Sequence, residues 1–145
     1  MSSKEKRIGL VGVGRMGANM ARNLKDKGYQ VSCVNDVAKD VASALAQELG
    51  CSHAETLAEV TANSDVVLTV VTNDAAMEAI FSGEGDNLFT NASGKLFINC
   101  ATLSPAMHVK LEGAAAENGC QTLEGCMASS ITQAREGTLY LMIGG

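Results

Sequence analysis

The chain has few of the residues that dominate most binding surfaces. Its 145 residues include no tryptophan, one proline and only 3% aromatic residues, so the core must be built from aliphatic side chains and methionine. Eleven basic residues against sixteen acidic ones give a formal net charge of −5, and no basic cluster is present. Since nucleic-acid binding needs basic groups for phosphate contact, this charge balance argues against a nucleic-acid partner.

Signals for membranes, disulfides and metal sites are also missing. No apolar run approaches the roughly 20 residues that span a bilayer, and a short polar stretch leads directly into the first apolar run, without room for a signal peptide. The cysteine count is odd and shows no CxxC or Cys/His spacing. We therefore expect a cytoplasmic protein with no membrane partner and no metal. The cysteines are Cys33, Cys51, Cys100, Cys120 and Cys126.

Three glycines at a defined spacing are the most informative feature of the chain. Gly12, Gly14 and Gly17 follow the apolar run 8–11. Between a strand and a helix, the first glycine allows a sharp turn. The second lets a pyrophosphate approach the backbone, and the third lets the helix pack closely. The helix N-terminus then favours the negative charge of the phosphates. The spacing predicts a dinucleotide site.

An acidic residue refines this prediction. Asp36 comes 24 positions after Gly12, at the end of the second predicted strand. A carboxylate there accepts hydrogen bonds from the adenosine ribose and repels a 2′-phosphate, which favours NAD over NADP. Three alternatives stay open: a glycine turn in another βαβ unit, an S-adenosylmethionine loop, and a merely solvated Asp36. The nearby Lys39 would weaken the preference by offering a phosphate contact.

Short apolar runs alternate with helical periodicities along the whole chain, without repeats or an interdomain linker. This pattern predicts an α/β fold with a doubly wound, mostly parallel Rossmann-type sheet and additional strands at its C-terminal end. Gly28 is the predicted left-handed end of the first helix, Asp74 the cap of a later one, and Ser104 the cap of a helix that opens with Pro105. Strands are predicted at 8–11, 29–34, 51–53, 66–71, 95–99, 121–124 and 138–143. Helices are predicted from Met16 to near Gly28, at 38–48, from Thr56, from the Asp74 cap to 81 and at 105–118, and a short helical segment is predicted between the last two strands.

Four segments contain motifs that occur together, in this order, in one enzyme family: 10–24, 65–72, 102–105 and 124–139. Through them the chain resembles the β-hydroxyacid dehydrogenases, the group of 3-hydroxyisobutyrate dehydrogenase and tartronate semialdehyde reductase, related to 6-phosphogluconate dehydrogenase. The resemblance implies reversible hydride transfer between a nicotinamide dinucleotide and a small 3-hydroxy acid or its semialdehyde.

The glycine motif and the resemblance together imply a set of site residues. The expected cofactor-binding residues are Gly12, Val13, Gly14, Arg15, Met16, Gly17, Asn35, Asp36, Val71, Thr72, Ala76 and Thr102. Ser129 and Ser130 are the expected substrate-binding residues. They stand where the family has Gly-Gly, and Ala128 stands where it has serine. Capping of a short helix is an equally good interpretation of these two serines.

The family's acid–base lysine lies on a helix beyond the Gly-Gly that matches Gly144-Gly145, and a helical domain follows it. The last lysine here, Lys110, does not align with that position. We therefore expect residues 1–145 to form an NAD(P)-binding domain without a catalytic residue of its own. We also expect self-association through the face that the helical domain would cover. The alternative is a stand-alone dinucleotide-binding or oligomerisation module without catalysis.

Overall fold

The computed structural model describes residues 5–82, 85–101, 103–127, 135 and 141–144. Strands and helices alternate through these ranges as the sequence predicts. The strands are β1 (Arg7–Val11), β2 (Gln30–Asn35), β3 (Ser52–His53), β4 (Val66–Thr69), β5 (Leu96–Asn99), β6 (Gln121–Met127) and β7 (Leu141–Gly144). The helices are α1 (Arg15–Asp26), α2 (Lys39–Leu49), α3 (Leu57–Ala62), α4 (Asp74–Ser82) and α5 (Pro105–Glu117).

The described strands form one sheet in the order β3-β2-β1-β4-β5-β6-β7. Six of them run parallel, and β7 pairs antiparallel with β6. The predicted doubly wound sheet with an added C-terminal strand is therefore confirmed. From β1 the chain winds first toward β2 and then, in the opposite direction, toward β4. Such a reversal leaves a crevice at the carboxyl ends of the two central strands, where open α/β sheets bind their ligands.

Two hydrophobic clusters cover the two faces of the sheet. Neighbouring residues of β1 belong to different clusters, Leu10 to one and Val11 to the other, because successive side chains of a strand point to opposite faces. The Leu10 cluster packs against α1 and α2, whereas the Val11 cluster contains residues of α3, α4 and α5. The three phenylalanines of the chain meet on this second face, with ring centroids 4.8 to 6.0 Å apart: Phe81, Phe89 and Phe97.

Two of the predicted helix ends are confirmed. Gly28 has a φ of +89°, and its N–H donates to the carbonyl of Lys25 while the N–H of Tyr29 donates to the carbonyl of Leu24. This pair of bonds is the Schellman arrangement that favours glycine after a helix. At the start of α5, the Ser104 hydroxyl accepts the Met107 N–H at 3.2 Å.

The predicted cap of α4 is wrong by one residue. The Asn73 side-chain oxygen accepts the Ala76 N–H at 2.8 Å, and Asp74 is the first helical residue instead. Asn and Asp are equally good caps, so two of them in sequence leave the choice to tertiary contacts. Asp74 has such a contact with Ser104, whose hydroxyl donates to its carboxylate at 2.6 Å. This bond lowers the pKa of Asp74 below its usual range.

Strand ends also differ from the predicted ones. The strand β4 ends at Thr69 rather than at residue 71, while β6 continues to Met127 rather than ending at 124. The short helical segment predicted between the last strands falls mostly outside the described residues. No helix in the described part of the chain is long and apolar enough to cross a membrane.

Arg7 and Asp65 join the amino ends of β1 and β4. The Arg7 N–H donates to Asp65 Oδ2 at 2.8 Å, and the Asp65 N–H donates to the Arg7 carbonyl at 2.8 Å. The Arg7 guanidinium adds a contact of 3.2 Å between Nη2 and Oδ1. The Arg7 backbone N–H, followed by the guanidinium, holds the pKa of Asp65 below its usual range. The ionised carboxylate therefore stabilises the fold.

We expect Asp65→Asn to lower the free energy of unfolding at neutral pH by about 1 kcal/mol, because this hydrogen-bonded pair is partly exposed. A carboxyl whose folded pKa is depressed stabilises the fold above its unfolded pKa of about 4 and loses this effect as the pH falls through the folded value. Urea denaturation should therefore show the difference shrinking as the pH falls below the unfolded pKa of about 4. The exposed Glu112→Gln is the control. A difference that stays constant with pH would contradict the assignment.

Candidate functional site

Gly12 brings the carboxyl ends of three strands together. It follows β1 directly with a φ of +89°, and its N–H donates to the Asn35 carbonyl at the end of β2 at 2.9 Å. A Cβ at this position would lie 2.1 Å from the carbonyl oxygen of Val70, just after β4. Both the backbone conformation and the available space therefore require glycine here.

The other two glycines of the motif serve different purposes. A Cβ at Gly17 would lie 2.0 Å from the Gly12 carbonyl oxygen, so α1 can pack against the turn only with glycine at this position. Gly14 has an ordinary φ of −65°, and a Cβ there would meet no atom within 4 Å. Its lack of a side chain therefore leaves space open in front of the backbone. The sharp turn at Gly12 and the close helix packing at Gly17 agree with the roles that the spacing predicts.

The amino end of α1 opens onto this space. Gly14 is the N-cap residue and offers no side-chain acceptor, and the first turn of the helix contains no acidic residue. Unpaired N–H groups and the positive end of the helix dipole thus face outward, next to the exposed side chain of Arg15. This arrangement suits an anionic group such as a pyrophosphate.

A cleft of about 650 Å³ lies beside the glycine turn, within the size range of small-molecule and cofactor sites. It is formed by the turn itself, the end of β2, the segment from β4 into α4, and one face of α4. Its lining residues are Val11, Gly12, Gly14, Asn35, Asp36, Val37, Lys39, Glu55, Leu57, Val70, Val71, Thr72, Ala76, Ala79, Ile80 and Asp86.

The cleft brings together most of the residues that we expect to bind the cofactor: Gly12, Gly14, Asn35, Asp36, Val71, Thr72 and Ala76. Val13 and Gly17 are buried and shape the turn from behind, while Arg15 is exposed and Met16 half-buried in the first turn of α1. Three further expected residues lie outside the described residues: Thr102, Ser129 and Ser130.

Sequence reasoning missed part of the cleft wall. Ala79 and Ile80 follow Ala76 by three and four positions, so helical periodicity could have placed them on its face of α4. No comparable signal exists for Asp86. Its carboxylate accepts the N–H groups of Leu57 at 2.6 Å and Ala58 at 2.9 Å. This contact ties the loop after α4 to the start of α3, across 28 or 29 positions of sequence.

Negative charge predominates in the cleft lining. Three carboxylates, those of Asp36, Glu55 and Asp86, line it together with one ammonium group, that of Lys39. Asp36 is held firmly, because its Oδ2 accepts the Val13 N–H at 2.8 Å and its Oδ1 accepts the Ala38 N–H at 2.9 Å. Within the described ranges, no group of three or more His, Cys, Asp or Glu side chains is placed to hold a metal.

The chain is similar to known proteins over nearly its whole length. The family described as the NAD binding domain of 6-phosphogluconate dehydrogenase matches residues 7–145. The mitochondrial 3-hydroxyisobutyrate dehydrogenase of Drosophila melanogaster is 33% identical over 143 residues, which cover 97% of this chain and 42% of that protein. The NAD-dependent L-serine dehydrogenase of Pseudomonas aeruginosa is 31% identical over 140 residues, covering 97% of this chain and 46% of that protein.

The fold is shared with a solved structure of the same group. The structure of Mycobacterium tuberculosis 3-hydroxyisobutyrate dehydrogenase with L-serine superposes with a TM-score of 0.86 at 27% identity, over 97% of this chain and 46% of that one.

The chain spans less than half the length of the curated relatives that it matches. Those relatives are dehydrogenases, so a stand-alone module without a role in catalysis is not favoured. The family match over residues 7–145 confirms the resemblance that the four sequence motifs indicate. The chain belongs to the family of the NAD binding domain of 6-phosphogluconate dehydrogenase and is an NAD-binding domain of the type found in hydroxyacid dehydrogenases such as 3-hydroxyisobutyrate dehydrogenase.

Proposed function

We propose that this chain is the cofactor-binding part of an oxidoreductase that transfers a hydride between NAD and a small 3-hydroxy acid or its semialdehyde. The observation that carries the proposal is the open backbone at Gly14, where the amino end of α1 faces a cleft of suitable size. Such a site binds a pyrophosphate through backbone N–H groups, without needing a basic side chain.

Each part of the cleft then has a role toward the dinucleotide. The N–H groups after Gly14 bind the pyrophosphate, and Asp36 accepts hydrogen bonds from the adenosine ribose. Val71 and Thr72, after β4, lie on the far side of the glycine turn from β2, where the nicotinamide half would extend. Bound NAD supplies the hydride acceptor, while the protein orients it. By resemblance, Thr102 also contacts the nicotinamide half.

The names of the relatives support a proposal for the substrate class. 3-Hydroxyisobutyrate and L-serine both carry a primary alcohol on the carbon next to the one that bears the carboxylate. We propose a substrate with the same skeleton for the protein that contains this chain. By resemblance, Ser129 and Ser130 would contact its carboxylate.

Gly14→Val should weaken NAD binding by at least about tenfold while the fold is retained, because the branched side chain would occupy the space of the pyrophosphate. The φ of Gly14 is one that valine adopts readily, so backbone strain is not expected. Calorimetric titration with NAD measures the effect, and thermal melting checks the fold. Gly113→Val, on α5 and also without neighbours within 4 Å, is the matched control. Unchanged NAD affinity in a folded Gly14→Val variant would exclude the turn as the phosphate site.

The wild-type chain should bind NAD at least about tenfold more tightly than NADP, because the 2′-phosphate would enter a cleft lined by three carboxylates and one ammonium group. Asp36→Arg should narrow or reverse this ratio. Titrations of both cofactors against both proteins test the claim. Asp40→Arg, an equal charge reversal at an exposed position of α2, should leave the ratio near its wild-type value. Equal or tighter binding of NADP to the wild type would contradict the preference.

The 145 residues by themselves should bind NAD without measurable turnover. By resemblance, the acid–base lysine follows the segment that matches this chain, and the chain covers under half of its relatives. We also expect self-association, because the family's helical domain would cover the face beside Thr72. NADH absorbance with 3-hydroxyisobutyrate and L-serine tests the first point, and sedimentation velocity tests the second. Robust turnover would show that these residues suffice for catalysis, and a monomer at high concentration would rule out the association.

A further inference from the structure

We propose that Asp36 is a positioning residue of the glycine turn: through the Val13 N–H it holds the turn in its phosphate-binding conformation before any cofactor arrives. A carboxylate at this place is expected to contact the ribose alone, in which case its removal would leave the phosphate cradle intact. Its two hydrogen bonds to backbone N–H groups give the Asp36 carboxylate a second role. The inference rests on the proposed function only for the part of its test that uses ligands.

Two consecutive residues at the end of β2 hold two consecutive residues of the turn. The Asn35 carbonyl accepts the Gly12 N–H at 2.9 Å, and Asp36 Oδ2 accepts the Val13 N–H at 2.8 Å. The other oxygen, Oδ1, accepts the Ala38 N–H at 2.9 Å, in the connection that leads into α2. Hydrogen bonds to a carboxylate are roughly twice as strong as those between neutral groups. One side chain therefore links the turn before α1 to the turn before α2.

Val13 is the point at which the turn needs this support. It stands between Gly12 and Gly14, and glycines lose more conformational freedom on ordering than any other residue. Val13 is 1% exposed, and its side chain packs in the cluster that contains residues of α1. A buried backbone N–H without an acceptor is costly, and Asp36 supplies the acceptor here. Loss of the carboxylate would therefore free the segment that must present its N–H groups to the pyrophosphate.

The positioning role is compatible with ribose binding, and it strengthens the expected preference for NAD over NADP. A carboxylate has about four lone-pair sites, so two backbone bonds leave acceptor capacity for a ribose hydroxyl. The same two bonds keep the charge in place, because rotation away from a 2′-phosphate would break both of them. Asp36→Arg should accordingly weaken the binding of both cofactors while it shifts their ratio.

The first arm of the test uses the 145-residue chain without ligand. Amide hydrogen exchange is followed in the turn segment 12–13, whose two N–H groups are hydrogen-bonded, for the wild type, Asp36→Asn and Asp40→Asn. If Asp36 holds the turn, Asp36→Asn should speed exchange in this segment at least about tenfold, and Asp40→Asn, the same change at an exposed site, should not. Equal protection of the segment in the wild type and a folded Asp36→Asn variant would overturn the proposal.

The second arm separates the turn from the ribose. Binding of ADP and of 2′,3′-dideoxy-ADP is titrated against the wild type, Asp36→Asn and Asp36→Glu. Asp36→Glu keeps the charge but moves the carboxylate by one methylene, and it serves as the milder variant if Asp36→Asn does not fold. A positioning role predicts that both variants weaken binding of the dideoxy ligand by about tenfold. A dideoxy affinity within about twofold of wild type would assign Asp36 to the ribose alone.

The two arms distinguish this inference from the proposed function. If the wild type binds ADP and the variants affect only the ligand with ribose hydroxyls, the positioning role fails and the dinucleotide site stands. If the wild type binds neither nucleotide, the dinucleotide site fails, and hydrogen exchange alone decides whether Asp36 holds the turn.

Discussion

The close backbone approach at Gly12 is the constraint on which the site depends. No side chain fits between this residue and the Val70 carbonyl, nor between Gly17 and the Gly12 carbonyl. Because the backbone of the turn touches the backbone at Val70, α1 starts immediately beyond the carboxyl end of β1. The turn after β1 therefore lies between the ends of β2 and β4, the two strands that pair with β1. Backbone atoms without side chains therefore line the inner end of the crevice, where the strand order reverses. A pyrophosphate binds to such a surface through backbone N–H groups.

Features governed by local chemistry could be predicted from the sequence. Alternation and helical periodicity located the elements, because each strand or helix must bury one face against the sheet. Gly28 and Ser104 were assigned correctly, since a left-handed residue after a helix and a hydroxyl before Pro105 have few other uses. The wrong prediction of Asp74 as the cap of α4 also results from a local rule. Where two adjacent residues satisfy a local rule equally well, a distant partner decides between them, here Ser104.

Contacts across long sequence separations could not be predicted. The motif gives a reason for an acid at position 36, but nothing local indicates that its carboxylate bonds Val13, 23 positions earlier. Likewise, the role of Asp86 at the start of α3 depends on how two loops meet in three dimensions. Every residue except proline carries the same backbone N–H, so the sequence does not indicate which acceptor will reach it. Tertiary packing decides this. The sequence therefore points to Asp36 and Lys39 in the cleft but not to the two further carboxylates, those of Glu55 and Asp86.

The described residues bring the proposed pyrophosphate and ribose contacts together at one sheet edge and its turns. The glycine turn, Asp36 and the face of α4 are held by hydrogen bonds and packing within this chain. Thr72, by contrast, is exposed at the end of the cleft where the nicotinamide half would extend. The proposed adenosine half of the site is therefore enclosed by residues of this chain, because two turns and the face of α4 surround it, whereas the proposed nicotinamide half ends at an exposed residue.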